Sequence, residues 1–108
     1  MRAVKYNKLV RDKIPEMIAV LGASSDIELV SGEKLLKTVD ETIDMTLAGY
    51  HEKQSVQELI DLVELIYVAA EARGYTADQF DSWRLNARKD YGGYDKGFEL
   101  TVVYENDE

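Results

Sequence analysis

The sequence predicts a mainly α-helical domain, and three observations carry that expectation. Apolar residues recur at helical spacing over residues 33–48 and again over 55–74. Ser55 with Glu58, and Thr76 with Gln79, repeat the pattern of a hydroxyl followed three residues later by Glu or Gln that opens helices. Glycines stand where the periodic stretches give out, at Gly22, Gly49, Gly74 and Gly92-Gly93.

Taken in order, residues 1–8 are polar. Asp12 then stands where it caps a first helix beginning at Lys13, with Pro15 in the first turn, where its missing N–H costs nothing, and Gly22 at the end. Residues 26–30 alternate polar and apolar between turn residues and read as a short strand or extended lead-in. Leu35, Leu36, Val39, Ile43 and Leu47 form the stripe of a second helix that Gly49 stops. A third helix runs from the Ser55 cap to Gly74. Its sides carry Leu59, Ile60, Leu62, Val63 and Ile66, so a helix this apolar is expected to be buried. The fourth extends from Thr76 through Trp83 to about Asp90, and residues 98–104 have strand composition. The expected architecture is an antiparallel helical bundle in which the second and third helices form a hairpin, completed by a partner chain and by a short C-terminal strand or ribbon.

At 108 residues the chain suits one domain, small enough that a second copy would help cover its apolar surface, so a homodimer or homotetramer is expected. The net charge of −8 disfavours nonspecific attraction to nucleic acid polymers or anionic lipid, so any bound phosphate must be met by locally placed cations. The apolar runs are too short to span a bilayer and no secretory leader is recognisable, which makes the cytoplasm the expected location. Cysteine is absent, so no thiolate site is available and a metal is expected to need oxygen ligands.

The chemistry-bearing feature is a pair of acidic patterns, Asp40-Glu41-x-x-Asp44 on the second helix and Glu58-x-x-Asp61-x-x-Glu64 on the third. Acids three apart share a helix face, and two such helices side by side direct four or more carboxylates into one cleft. Such a cluster repels itself unless a cation joins it, and hard oxygen donors suit Mg²⁺, or alternatively Mn²⁺. The competing reading is a solvated charged face, which fits the second helix with its Lys34 and Lys37 better than the third, where acids interrupt an apolar surface. Glu58 also has a simpler role as partner of the Ser55 cap. Cationic candidates for phosphate are Lys8, Arg11 and Lys13 near the start and Arg84, Arg88 and Lys89 on the fourth helix, any of which also suits plain surface. Phe80 and Trp83 offer rings for base stacking or, more simply, for core packing. His51, the single histidine, falls in the expected connection between the acidic helices and reads as exposed.

These acidic patterns resemble the EExxE…ExxD signature of MazG-like all-α nucleotide pyrophosphohydrolases. The segments Tyr6-Asn-Lys-Leu-Val-Arg-Asp-Lys-Ile-Pro15 and Gly92-Gly93-Tyr94-x-x-Gly97 look like the terminal signatures of the small phosphoribosyl-ATP pyrophosphohydrolase-like branch. Together the blocks span nearly the whole chain. The departures are Asp40 and Asp44 where Glu is usual, and Tyr91-Gly-Gly-Tyr94 where the branch often has Arg-Gly-Gly-Phe. The resemblance implies Glu41, Asp44, Glu58 and Asp61 as metal ligands, with Asp40 and Glu64 beside them supporting the ligands or activating water. Helical geometry alone does not choose Glu41 over Asp40. Asn86 and Arg88 are similar to an N-x-K segment of MazG relatives and join Lys8, Arg11 and Lys13 as substrate-binding candidates. The implied reaction is Mg²⁺-dependent release of pyrophosphate and a monophosphate from a nucleotide. The rival expectations are a histidine-pathway phosphoribosyl-ATP pyrophosphohydrolase, an enzyme clearing noncanonical nucleotides, and a non-catalytic helical interaction module that has kept the fold.

Overall fold

A computed structural model describes residues 2–106, in which four helices follow one another: α1 (Ile14–Val20), α2 (Gly32–Lys53), α3 (Val56–Ala72) and α4 (Ala77–Tyr91). Pro15 lies in the first turn of α1, as its sequence position predicts, but Asp12 does not cap that helix. Lys13 holds the N-cap position with helical dihedrals and no side-chain bond. Gly22 follows at φ +86°, and with the N–H groups of Gly22 and Ala23 bonding back to Ala19 and Ile18 it closes the helix as expected.

α2 overruns its predicted stop. Gly49 stays helical, and the helix ends four residues later, where Gln54 takes a left-handed conformation at φ +53° and its N–H bonds to the Tyr50 carbonyl. Gly49 faces α3, and a Cβ there would stand 3.7 Å from the Glu58 side chain, so the glycine is an interior position at a helix crossing. His51 therefore sits in the last turn of α2 and not in a loop. α3 starts as predicted: Ser55 caps it by accepting from the Gln57 N–H at 3.2 Å. The Glu58 carboxylate, in turn, accepts the Ser55 hydroxyl, replacing the expected bond to the backbone N–H of Ser55. In α4 both halves of the capping box are present, Gln79 N–H to Thr76 Oγ1 at 3.1 Å and Thr76 N–H to Gln79 Oε1 at 2.9 Å.

Neither predicted strand forms. Residues 26–30 and 98–104 are irregular and exposed apart from the half-buried Val30, and no strand occurs among the described residues. A strand needs a neighbour to take its N–H and C=O groups, and neither stretch finds one among the described residues.

The two-residue connection Gln54-Ser55 folds α3 back along α2. Gly49 stands against Glu58 near the turn and Asp40 against Arg73 far from it, which fixes the pair as antiparallel. α4 returns along the second half of α3, where Tyr67 packs edge-on against Phe80, with centroids 5.5 Å apart, and its hydroxyl bonds to Asp81. Few of the described residues are buried, namely Val39, Thr42 and Ala70, and of these Val39 alone is fully covered. The expectation that α3 is buried is not met within one chain, because Leu59, Ile60, Val63 and Ile66 keep 41–53% of their surface. The radius of gyration is 19.0 Å, where a compact chain of this length has about 13 Å. The accessible surface is 9996 Å², against about 6,100 Å² for a compact protein of this mass.

Candidate carboxylate site on the helical hairpin

The hairpin carries all six acids, and their positions differ. On α2, Asp40, Glu41 and Asp44 are exposed. Asp40 accepts from Arg73 Nη2 at 3.4 Å, and Glu41 lies 4.0 Å from Lys37 Nζ one turn earlier. On α3, Glu58 and Asp61 are drawn further in, the side chain of Glu58 keeping 15% of its surface, and Glu64 is exposed. Glu58 takes the Ser55 hydroxyl and has Lys53 Nζ at 3.9 Å. The Ser55 bond is the main reason its carboxyl titrates below the usual glutamate range, aided by its own backbone N–H and opposed by partial burial. Asp61 Oδ1 accepts from Arg11 Nη2 at 2.6 Å and from Gln57 Nε2 at 3.4 Å.

Each carboxylate is thus neutralised separately, apart from Asp44 and Glu64, which form no ion pair among the described residues. No three acidic or histidine side chains among the described residues converge as a metal cage. The donor set nevertheless suits a hard divalent cation in its chemistry, since it consists of carboxylates on two packed helices, and three of them already hold a positive group. Ligation by Glu41, Asp44, Glu58 and Asp61 together would need α2 to shift along α3 as well as side chains to turn, since Gly49 is level with Glu58 and Glu41 lies eight residues, about 12 Å, further along the helix. It would also come at the expense of the ion pairs on Glu41, Glu58 and Asp61.

The cationic candidates separate into two groups. Arg11 reaches the acidic stripe, and its guanidinium is held above its ordinary pKa first by the Asp61 bond, against partial burial, and then by the charges of Asp61 and Glu64. Lys8 lies over the Tyr6 ring at 5.8 Å, in the same segment, and Lys13 stands at the N-cap position of α1 without a side-chain bond to it. The α4 residues stand elsewhere: Arg84 pairs with Asp81 at 3.8 Å, and Arg88 with Asp95 at 2.7 Å. Gly92, at φ +89°, turns the chain there, and Gly93 leaves room for the Arg88 guanidinium, whose Nη1 lies 2.3 Å from the place of a Cβ. No hydrogen bond or ion pair among the described residues links Asn86, Arg88 or Lys89 to the acids of the hairpin.

An open cleft of about 450 Å³ lies at the far end of the hairpin, lined by Ile66, Tyr75, Phe80 and Trp83 with the Asp40–Arg73 pair at its edge. Trp83 is half exposed and packs edge-on against Tyr75 at 5.3 Å, while Phe80 is partly covered. Arg73 was not among the sequence candidates. The antiparallel register of the hairpin was the available signal, since residues roughly equidistant from the Gln54-Ser55 turn face each other. No helix among the described residues is long and apolar enough to cross a membrane. Against known proteins the chain matches no family model, no curated protein and no solved structure.

Proposed function

We propose that this chain is a divalent-metal nucleotide pyrophosphohydrolase that works as a homo-oligomer. The observation that carries the reading is the antiparallel α2/α3 hairpin, which sets Asp40, Glu41 and Asp44 beside the helix bearing Glu58, Asp61 and Glu64. Glu41, Asp44, Glu58 and Asp61 supply the anionic oxygens for Mg²⁺ or Mn²⁺, in line with the motif resemblance. Bound there, the ion would lower the pKa of an attacking water and offset the charge on the leaving pyrophosphate. Water adds to the α-phosphorus as its bond to the bridging oxygen breaks, giving a monophosphate and pyrophosphate. Asp40 or Glu64, beside the ligands in sequence, would accept the proton of that water. Lys8, Arg11 and Lys13 lie on the segment that crosses the hairpin and meet phosphate charge, while Asn86 and Arg88 belong to the substrate side only if a second chain or a bound nucleotide brings α4 closer. The aromatic cleft supports the same reading. Asp40 lines it, one helical turn, about 6 Å, from Asp44, so a base stacked on Trp83 lies within a nucleotide's length of the α2 acids.

The oligomer rests on area. The chain exposes about 3,900 Å² more than a compact protein of its mass, and an ordinary stable interface covers about 800 Å² on each partner. The apolar stripe of α3 is the face that a second copy would cover. The neutralised acids favour the rival reading, a non-catalytic helical module whose carboxylates are structural. Scoring pyrophosphate release across a panel of nucleotides with Mg²⁺ separates the two. Release that chelator abolishes supports the enzyme, and no release from any nucleotide with either metal supports the module.

A further inference from the structure

We infer that the Arg11 guanidinium is the resident counter-ion of the α3 acidic stripe, and that a divalent cation at Asp61 competes with it, loosening residues 9–11 from the hairpin. The inference rests on the metal-site reading above and adds a competitor to it. Two anchors on different helices define the strap. The Leu9 N–H donates to Thr42 Oγ1 at 3.1 Å on α2, and Arg11 Nη2 donates to Asp61 Oδ1 at 2.6 Å on α3. Thr42 keeps 3% of its surface, and its own hydroxyl proton goes to the Thr38 carbonyl at 2.7 Å, so its oxygen is left as a buried acceptor that the strap fills. Asn7, left-handed at φ +49°, turns the chain before the strap, and the Arg11 carbonyl accepts the Ile14 N–H at 3.0 Å, joining the strap to α1. From Leu9 to Arg11 the backbone covers at most about 7 Å. Packed helices lie about 8–10 Å apart, so the long side chain of arginine completes the crossing.

Asp61 Oδ1 cannot hold both cations, and a metal on Oδ2 would still compete with Arg11 for the one negative charge. A divalent ion sits about 2.1 Å from a carboxylate oxygen, and the guanidinium nitrogen already lies 2.6 Å from Oδ1. Two positive centres on one small carboxylate repel, and its single negative charge cannot offset both. Glu64 adds attraction for whichever cation is present, as its influence on Arg11 indicates. Metal binding and strap docking are therefore reciprocal: whatever weakens the strap strengthens the metal by the same factor.

The test pairs Mn²⁺ titration calorimetry with hydrogen exchange of residues 5–12, on the full chain and on Arg11→Ala, Arg11→Lys and Asp61→Asn, each checked for helical content by circular dichroism. Arg11→Ala should bind Mn²⁺ about 2- to 5-fold more tightly, the range that losing an exposed ion-pair competitor spans. Arg11→Lys should remain nearer the parent. Saturating Mg²⁺ should speed exchange at the Leu9 amide of the parent, whereas Arg11→Ala should exchange fast there without metal. Unchanged or weaker Mn²⁺ binding by folded Arg11→Ala overturns the inference while leaving the metal site standing, and so does a Leu9 amide indifferent to Mg²⁺. Asp61→Asn that binds Mn²⁺ like the parent overturns the site assignment itself, and absence of binding in both the parent and Arg11→Ala overturns both.

Discussion

The two acid-bearing helices share one pattern and use it differently. α2 spaces its acids on a polar face, where Asp40 and Glu41 keep more than half of their side-chain surface and pair with Arg73 and Lys37 at 3.4 and 4.0 Å. α3 embeds the same spacing in an apolar helix, and Glu58 and Asp61 are drawn down to 15% and 36% exposure with shorter, more directed contacts. Exposed pairs at long range contribute little, while partly desolvated acids bound by hydroxyl and guanidinium are held in place. The difference teaches that acid spacing alone does not make a site. The surrounding hydrophobicity decides which acids are positioned, and here it selects α3.

The comparison breaks first at the α3 apolar stripe. Ile60→Asp puts a charge on the face that a second copy is proposed to cover, and it should abolish association in light scattering and lower Tm by more than about 10 °C. A chain that scatters as a monomer with either residue, and melts alike, removes the shared interface from the account. Next comes the cap. Ser55→Ala deletes the bond from Gln57 N–H and the support of Glu58, and should cost about 1 kcal/mol, or roughly 4–8 °C in a thermal melt.

A smaller effect follows from pH. Because folding holds the Glu58 carboxyl below its ordinary pKa, the stabilisation is fully present above the unfolded value, about 4.3, and is lost as pH falls through the folded one. Tm should decline as pH falls below about 4.3, and Glu58→Gln should flatten that decline; an equal slope in both proteins assigns the acid sensitivity to other groups. Smallest is Glu41→Gln on α2, whose stability should stay within about 0.5 kcal/mol of the parent in urea unfolding. A larger loss would mean that α2 positions its acids as firmly as α3 does.

The helices were legible where local chemistry decided them. The capping box of Thr76 and Gln79 and the Ser55 cap specify helix starts through bonds a few residues long, and the structure contains them. Gly49 misled because glycine's cost in a helix interior, about 1 kcal/mol, is small beside packing against α3, and because Gln54 supplied the left-handed stop without being glycine. Residues 98–104 misled because strand composition is a statement about a partner edge that the described residues do not provide. Arg11 and Asp61 were each singled out by sequence, in separate roles, yet their contact spans 50 residues and no local pattern encodes it.

Asp61 is therefore where the account is most exposed to test. Pyrophosphate release should be measured for the parent and for Asp61→Asn with the best nucleotide of the panel, with Mg²⁺ present and after chelation. Asparagine keeps the size of the side chain and removes its charge, so the account predicts that the parent releases pyrophosphate only with metal and that Asp61→Asn, folded by circular dichroism, loses at least about 100-fold in rate. In the metal-free protein the same substitution removes the partner of Arg11 and should lower Tm slightly. A folded Asp61→Asn that releases pyrophosphate at the parent's rate, or release that persists without any divalent metal, would contradict the claim that α3 carries the catalytic metal site.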